Sequence, residues 1–222
     1  MGEITETPEN MRQTMELLER ELAGRRVFRY MEGLEVKEIF AEEFFEKIKK
    51  GARVIIQNGL QGKHIGIMGN NSLEWIVSLC AVFWSGSAAV LLDKEMDGET
   101  LREKVRKVEI AGILYDDFVE KTIRETELPP SLMKLPFSEL QEAEGAGYGR
   151  ELSCGKRNGD ELACVFFTSG TTGESKGVMM SEKGLAAGIC HRVNNRRFRA
   201  LLAVLPFHHL SGFSSVLNAL YL

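Results

Sequence analysis

Apolar residues recur at helical spacing near the start of the chain, where Met11, Met15, Leu18 and Leu22 fall on one face. Thr7 is placed to cap this helix, Pro8 suits its first position, and Gly24 stops it. The run VFRYMEGLEVKEI then reads as two strands around a Glu32-Gly33 turn. A second amphipathic helix follows, with Phe44, Phe45, Ile48, Ala52 and Ile55 on one side.

From Lys63 the pattern changes to alternating strands and helices. HIGIMG is a short apolar strand; Asn71 is placed to cap the next helix, with Glu74 closing a capping box. That helix runs to about Ser85, and SAAVLL is the strand after it. Trp75 to Leu92 contains no charged residue and approaches the length of a membrane span. Gly86, flanked by Ser85 and Ser87, breaks it, so a helix turning into a buried strand is the reading adopted. A charged helix around Glu99–Val108 leads to the strand GILY, a short helix near Phe118–Ile123 and a further strand in LMKLPF. Residues 138–160, rich in Gly, Glu and Ser, read as a surface connection. Beyond them come the strand LACVFF, a Gly/Ser/Thr loop, a capped helix from Ser181 and the strand LLAVLP. The fold class expected is α/β: a mainly parallel layered sheet with flanking helices and right-handed crossovers. SSVLNALYL is a helical pattern without a stop signal, so the chain is expected to be the front part of a longer protein.

Composition narrows the function. The 222 residues are 44% apolar and 27% charged, enough for one sizeable core, or for one domain and part of a second. Net charge is −4, with Lys and Arg mixed among Glu and Asp, which argues against a nucleic-acid partner. Cys80, Cys154, Cys164 and Cys190 form no C-x-x-C pair, so no metal site is expected and the thiols read as reduced and mostly buried. The opening MGEITETPEN is acidic and polar and is not a signal peptide; a cytoplasmic protein is expected, touching a membrane, if at all, only peripherally.

The chemistry concentrates in Thr168 to Gly177, T-S-G-T-T-G-E-S-K-G, directly after an apolar strand. Its glycines let the backbone approach a ligand and aim successive N–H groups at it, a concavity suited to phosphates. Thr168, Ser169, Thr171 and Thr172 add hydroxyls and Lys176 adds a cation. A Walker A loop would place a hydroxyl residue after its lysine; here Gly177 follows, which disfavours a P-loop NTPase. The bland alternative is a polar hairpin loop that binds nothing.

This segment resembles the phosphate-loop signature T-S-G-T-T-G-x-P-K-G of the adenylate-forming superfamily of acyl- and aryl-CoA synthetases, luciferases and nonribosomal adenylation domains. Ser175 stands in the usual Pro position, as is familiar in long-chain fatty acid-CoA ligases. WSGSAAVLLD looks like the family's G-x-x-x-V-P-L-D segment, with Leu91 in place of Pro, and LAVLPFHHLSGF resembles L-P-x-x-H-x-x-G, setting His209 and Gly212 at its fixed positions. The three segments stand in the family's order, and with the N-terminal pattern the resemblance covers nearly the whole chain. It implies the first portion of the large, AMP-binding N-terminal domain of an adenylate-forming enzyme over residues 1–222.

The resemblance further implies a two-step reaction. A carboxylate attacks the α-phosphate of ATP, forming an acyl-adenylate and releasing pyrophosphate; a thiol, commonly that of coenzyme A, then takes the acyl group. Thr168, Ser169, Gly170, Thr171, Thr172 and Gly173 would hold the β- and γ-phosphates, and Lys176 would steady the departing pyrophosphate. His209 would lie beside the acyl pocket; its alternative reading is local hydrogen bonding at a strand–helix junction, and a one-residue shift would exchange it with His208. Phe207 and Phe213 read as pocket wall or as core, Trp75 and Trp84 as core, and His191 as structural. ATP, Mg²⁺ and coenzyme A are the cofactors implied, and a fatty acid the substrate. An enzyme loading an amino or aryl acid onto a carrier protein, and a non-catalytic binding module, remain as alternatives. The chain has no Y-G-x-T-E-like or T-G-D-like segment and no late catalytic lysine, so by itself it is expected to bind ATP weakly and not to adenylate.

Overall fold

The computed structural model describes residues 8–142, 157–169, 175–191 and 200–220. Helix α1 (Met11–Glu21) is capped by Asn10, whose side chain accepts from the Gln13 N–H. The cap therefore lies past Pro8, and Thr7 falls outside the described residues. Met11, Met15 and Leu18 are buried as the periodicity requires, and Gly24 takes φ +73° just beyond the helix. Strands β1 (Arg26–Glu32) and β2 (Glu35–Phe40) form an antiparallel hairpin. Glu32 pairs with Glu35, so the turn residues are Gly33 and Leu34, one place later than the sequence pattern indicates. Gly33 carries the positive φ (+61°) that the first central position of a tight hairpin turn demands.

Helix α2 (Ala41–Gln57) buries Phe44, Phe45, Ile48, Ala52 and Ile55. Strand β3 (His64–Met68), helix α3 (Leu73–Trp84) and strand β4 (Ala88–Leu92) follow, then helix α4 (Gly98–Lys107), strand β5 (Ile110–Tyr115), helix α5 (Glu120–Glu125) and strand β6 (Met133–Pro136). The last part holds strand β7 (Leu162–Ser169), strand β8 (Ser175–Ser181), helix α6 (Glu182–His191) and helix α7 (Leu210–Leu220). The six-stranded sheet runs β6-β5-β3-β4-β7-β8, parallel throughout except for β8, which returns antiparallel along β7 at the edge. One face carries the larger core, where α1, α2, α3, α6 and α7 pack; α4 and α5 cover a second core on the other face.

The uncharged stretch resolves as expected: α3 is buried nearly all round, Gly86 turns the chain with φ +74°, and every residue of β4 is buried. Among the described residues no helix is long and apolar enough to cross a membrane. Trp75 and Trp84 are core, the latter with Arg12 and Lys49 against its ring.

Three further points amend or extend the expectations. The α3 cap is Ser72, whose hydroxyl accepts from the Trp75 N–H at 3.0 Å; Asn71 is used elsewhere. The 138–160 connection is anchored at both ends. Leu140 is fully buried at one end; at the other, Arg157 donates to the Gly86 and Leu162 carbonyls and pairs with the buried Glu182 at 2.8 Å. Finally, LLAVLP is not a strand: residues 200–206 are exposed and irregular, with no strand ladder among the described residues. Apolar periodicity alone cannot supply the neighbouring strand that a ladder needs.

Candidate active site

The described ends of the segment Thr168 to Gly177 belong to two paired antiparallel strands. β7 enters it from the buried centre of the sheet, where Ala163, Cys164, Val165 and Phe166 are at most 2% exposed. β8 leaves it along the edge, with Thr168 opposite Lys176 and Ser169 opposite Ser175. Thr168 and Lys176 are both exposed, and the Thr168 hydroxyl faces the Lys176 carbonyl at 3.5 Å. Lys176 thus starts from a strand and not from a free loop, which fixes the root of its long side chain. β8 itself had no clear sequence signal, because its glycine and its exposed Val178 and Met179 do not alternate cleanly with polar residues. Gly170, Thr171, Thr172 and Gly173 lie outside the described residues, as do the side chains of Ser169 and His191.

The hairpin opens at the carboxyl end of the parallel strands, where open α/β sheets bind ligands. β4 pairs with β7 through Ala89 opposite Cys164 and Val90 opposite Val165. Asp93 lies 3.6 Å from Nε2 of His208, too long for a hydrogen bond but close enough for electrostatic attraction. Burial pushes the His208 imidazole below its ordinary value; Asp93 opposes that shift, while His209 and Lys94 add to it.

His209 and His208 are divided by their environments. His208 has a side chain 11% exposed, whereas His209 is exposed, its ring centroid 4.2 Å from that of His208. The His209 N–H donates to the Pro206 carbonyl at 3.2 Å, and its carbonyl accepts from the Phe213 N–H at 3.0 Å, opening α7. Gly212 follows from this turn: a Cβ there would sit 2.1 Å from the Pro206 oxygen, so the first turn of α7 can close only on glycine. Phe207 packs on Trp75, and Phe213 on Phe83 and Phe166, so both phenylalanines are core.

The loops beneath are tied together. Asp116 accepts from the Asn70 N–H at 2.7 Å and from its side-chain amide at 3.2 Å, and Lys94 donates to the Asn70 side chain at 2.7 Å. Gly69 leaves room for this, since a Cβ there would meet the Asp116 carboxyl at 2.8 Å. The ends of β3, β4 and β5 therefore form one braced rim. Sequence reading missed these partners because they come from three loops distant along the chain.

The description "AMP-binding enzyme" matches residues 26–222. The chain belongs to the AMP-binding family of adenylate-forming enzymes. Among curated relatives, surfactin synthase subunit 2 of Bacillus subtilis is 29% identical over 60% of this chain and 4% of its own length. The long-chain-fatty-acid–CoA ligase ACSBG2 of Rattus norvegicus is 26% identical over 77% of the chain and 30% of its own. The 2-succinylbenzoate–CoA ligase of Bacillus cereus is 26% identical over 85% and 38%. The chain thus spans well under half the length of these relatives. In fold it superimposes on the N-terminal domain of FACL13 from Mycobacterium tuberculosis with a TM-score of 0.78 and 19% identity, over 96% of this chain and 55% of that one.

Proposed function

We propose that this protein activates a carboxylic acid with ATP, as an acyl-adenylate, and passes the acyl group to the thiol of coenzyme A, a fatty acid being the substrate. The observation that carries the reading is the hairpin itself: the family's phosphate-loop segment, with Thr168 and Lys176 paired across two strands and exposed at the carboxyl edge of the sheet.

The residues suit a triphosphate. The Thr168 hydroxyl and the Lys176 ammonium are a donor and a cation on one hairpin, and neutralising charge is the main task when an anionic carboxylate approaches an anionic phosphate. ATP would supply the adenylyl group, with pyrophosphate as the leaving group; Thr168, Ser169 and Lys176, with Gly170 to Gly173, would hold its outer phosphates, and Lys176 would balance the charge on the leaving pyrophosphate. Among the described residues no group of three or more His, Cys, Asp or Glu could hold a metal ion, so no ligand for Mg²⁺ is assigned here. His209, exposed beside the braced rim, would face the acid.

The acyl acceptor is external to the described cysteines. Burial pushes the Cys80 thiol up to about 12 and the Cys164 thiol well above its ordinary value, so neither supplies a thiolate at neutral pH. These buried free thiols also support a cytoplasmic setting.

The match to surfactin synthase favours a second reading, loading of an amino or aryl acid onto a carrier protein. ATP–pyrophosphate exchange by the full-length gene product, and not by residues 1–222 alone, run with fatty, aryl and amino acids, separates the two. Exchange driven by fatty acids supports the first reading, and exchange driven by amino or aryl acids supports the second. Exchange with none of them removes both.

A further inference from the structure

Asn71 reads from the sequence as a helix cap, but Ser72 does that work, and the Asn71 side chain reaches the opposite end of the chain. Its Nδ2 donates to the Leu205 carbonyl at 2.8 Å, and its Oδ1 accepts from the Phe207 N–H at 3.0 Å. Both bonds fall on the peptide segment that enters the two histidines. Residues 200–206 have no strand ladder among the described residues, and these two bonds satisfy backbone groups at Leu205 and Phe207.

Both ends of this clamp are set. On one side the Asn70 N–H is bound by Asp116, and the Ser72 hydroxyl is committed to capping α3, so the backbone on either side of Asn71 is pinned. On the other, Phe207 is buried against Trp75 with ring centroids 5.4 Å apart, and Gly212 closes the turn against Pro206. Between those fixed points lie His208, facing Asp93, and His209, beside it.

We propose that Asn71 is a positioning residue: its amide, by holding Leu205 and Phe207 together, sets where the His208–His209 pair meets the acid. The proposal rests on the carboxylate-activating reading given above. A side chain of similar size without donor or acceptor should release the pair without emptying any core, since Asn71 is itself exposed.

The test compares Asn71→Leu and Asn71→Asp with the parent in ATP–pyrophosphate exchange by the gene product. Asn71→Leu should raise the KM for the acid on the order of tenfold and leave the KM for ATP within about twofold. Asn71→Asp, which keeps the acceptor for Phe207 and loses the donor to Leu205, should fall between. A second measurement follows the Cε1–H resonances of His208 and His209 by NMR in the same variants. Asn71→Leu should move both while leaving the melting temperature little changed. Unchanged acid KM and unchanged histidine resonances overturn the proposal, as does a loss of exchange that only follows a loss of folded protein. If the parent itself shows no exchange with any acid, the functional reading has failed, and the histidine resonances alone decide whether Asn71 holds the pair.

Discussion

Along β3, β4 and β5 nearly every residue is closed to solvent on both faces of the sheet, and helices cover it from either side. Toward β8 and the segment entering α7 the same sheet opens: Met179 is 75% exposed, Leu202 84% and Val204 69%, with Thr168, Lys176 and His209 exposed among them. The first region is buried scaffold, held by apolar burial from all directions. The second holds the side chains proposed above to carry the chemistry, which few neighbours hold, and depends on single polar contacts for its shape. Stability and activity should therefore respond to different substitutions.

The sharpest way to break that contrast is to empty the scaffold. Phe83 is 2% exposed and packs edge-on against Phe213, so Phe83→Ala should cost about 3–5 kcal/mol. For a chain of this size that is a fall in melting temperature of roughly 10 °C, read by calorimetry. A smaller effect separates two neighbouring residues. Ser72→Ala removes the α3 cap and should cost about 1 kcal/mol in denaturant unfolding. Asn71→Ala leaves the cap in place and should cost less than Ser72→Ala.

That pair also shows where sequence patterning stops. The strands and helices from β3 to β6 were legible because alternating apolar blocks, short loops and Gly86 all point the same way. The segment Thr168 to Gly177 stands out because glycines, hydroxyls and a lysine in that spacing suit few other purposes; its role as a phosphate loop is the proposal made above, and residues 170–174 lie outside the described residues. Caps were misplaced by one to three residues, at Thr7 and Asn71, because Ser, Thr, Asn and Asp compete for the position and tertiary contacts decide. LLAVLP has the apolar content of a strand but pairs with no strand among the described residues. The link from Asn71 to Phe207 spans 136 positions, and the approach of Asp93 to His208 joins two further distant segments, so no local pattern announces either.

The smallest expected effect concerns pH. The folded His208 binds its proton less readily than an unfolded histidine, because it is buried, with His209 and Lys94 adding to the shift against Asp93. Its contribution to stability is therefore fully present above the ordinary histidine value, about 6.5, and is lost as pH falls through the lower folded value. The melting temperature should decline between pH about 7.5 and 5, and His208→Gln should remove part of that decline. Equal slopes in the parent and the variant would remove His208 from the account.

The most direct test of the contrast is one substitution read two ways. Lys176→Ala in the gene product should reduce ATP–pyrophosphate exchange by a factor on the order of 100 or more, as loss of a charge-stabilising group does, with the melting temperature unchanged. Exchange retained within about tenfold of the parent, or lost only in step with the fold, would contradict the assignment of the β7–β8 hairpin as the phosphate-binding edge.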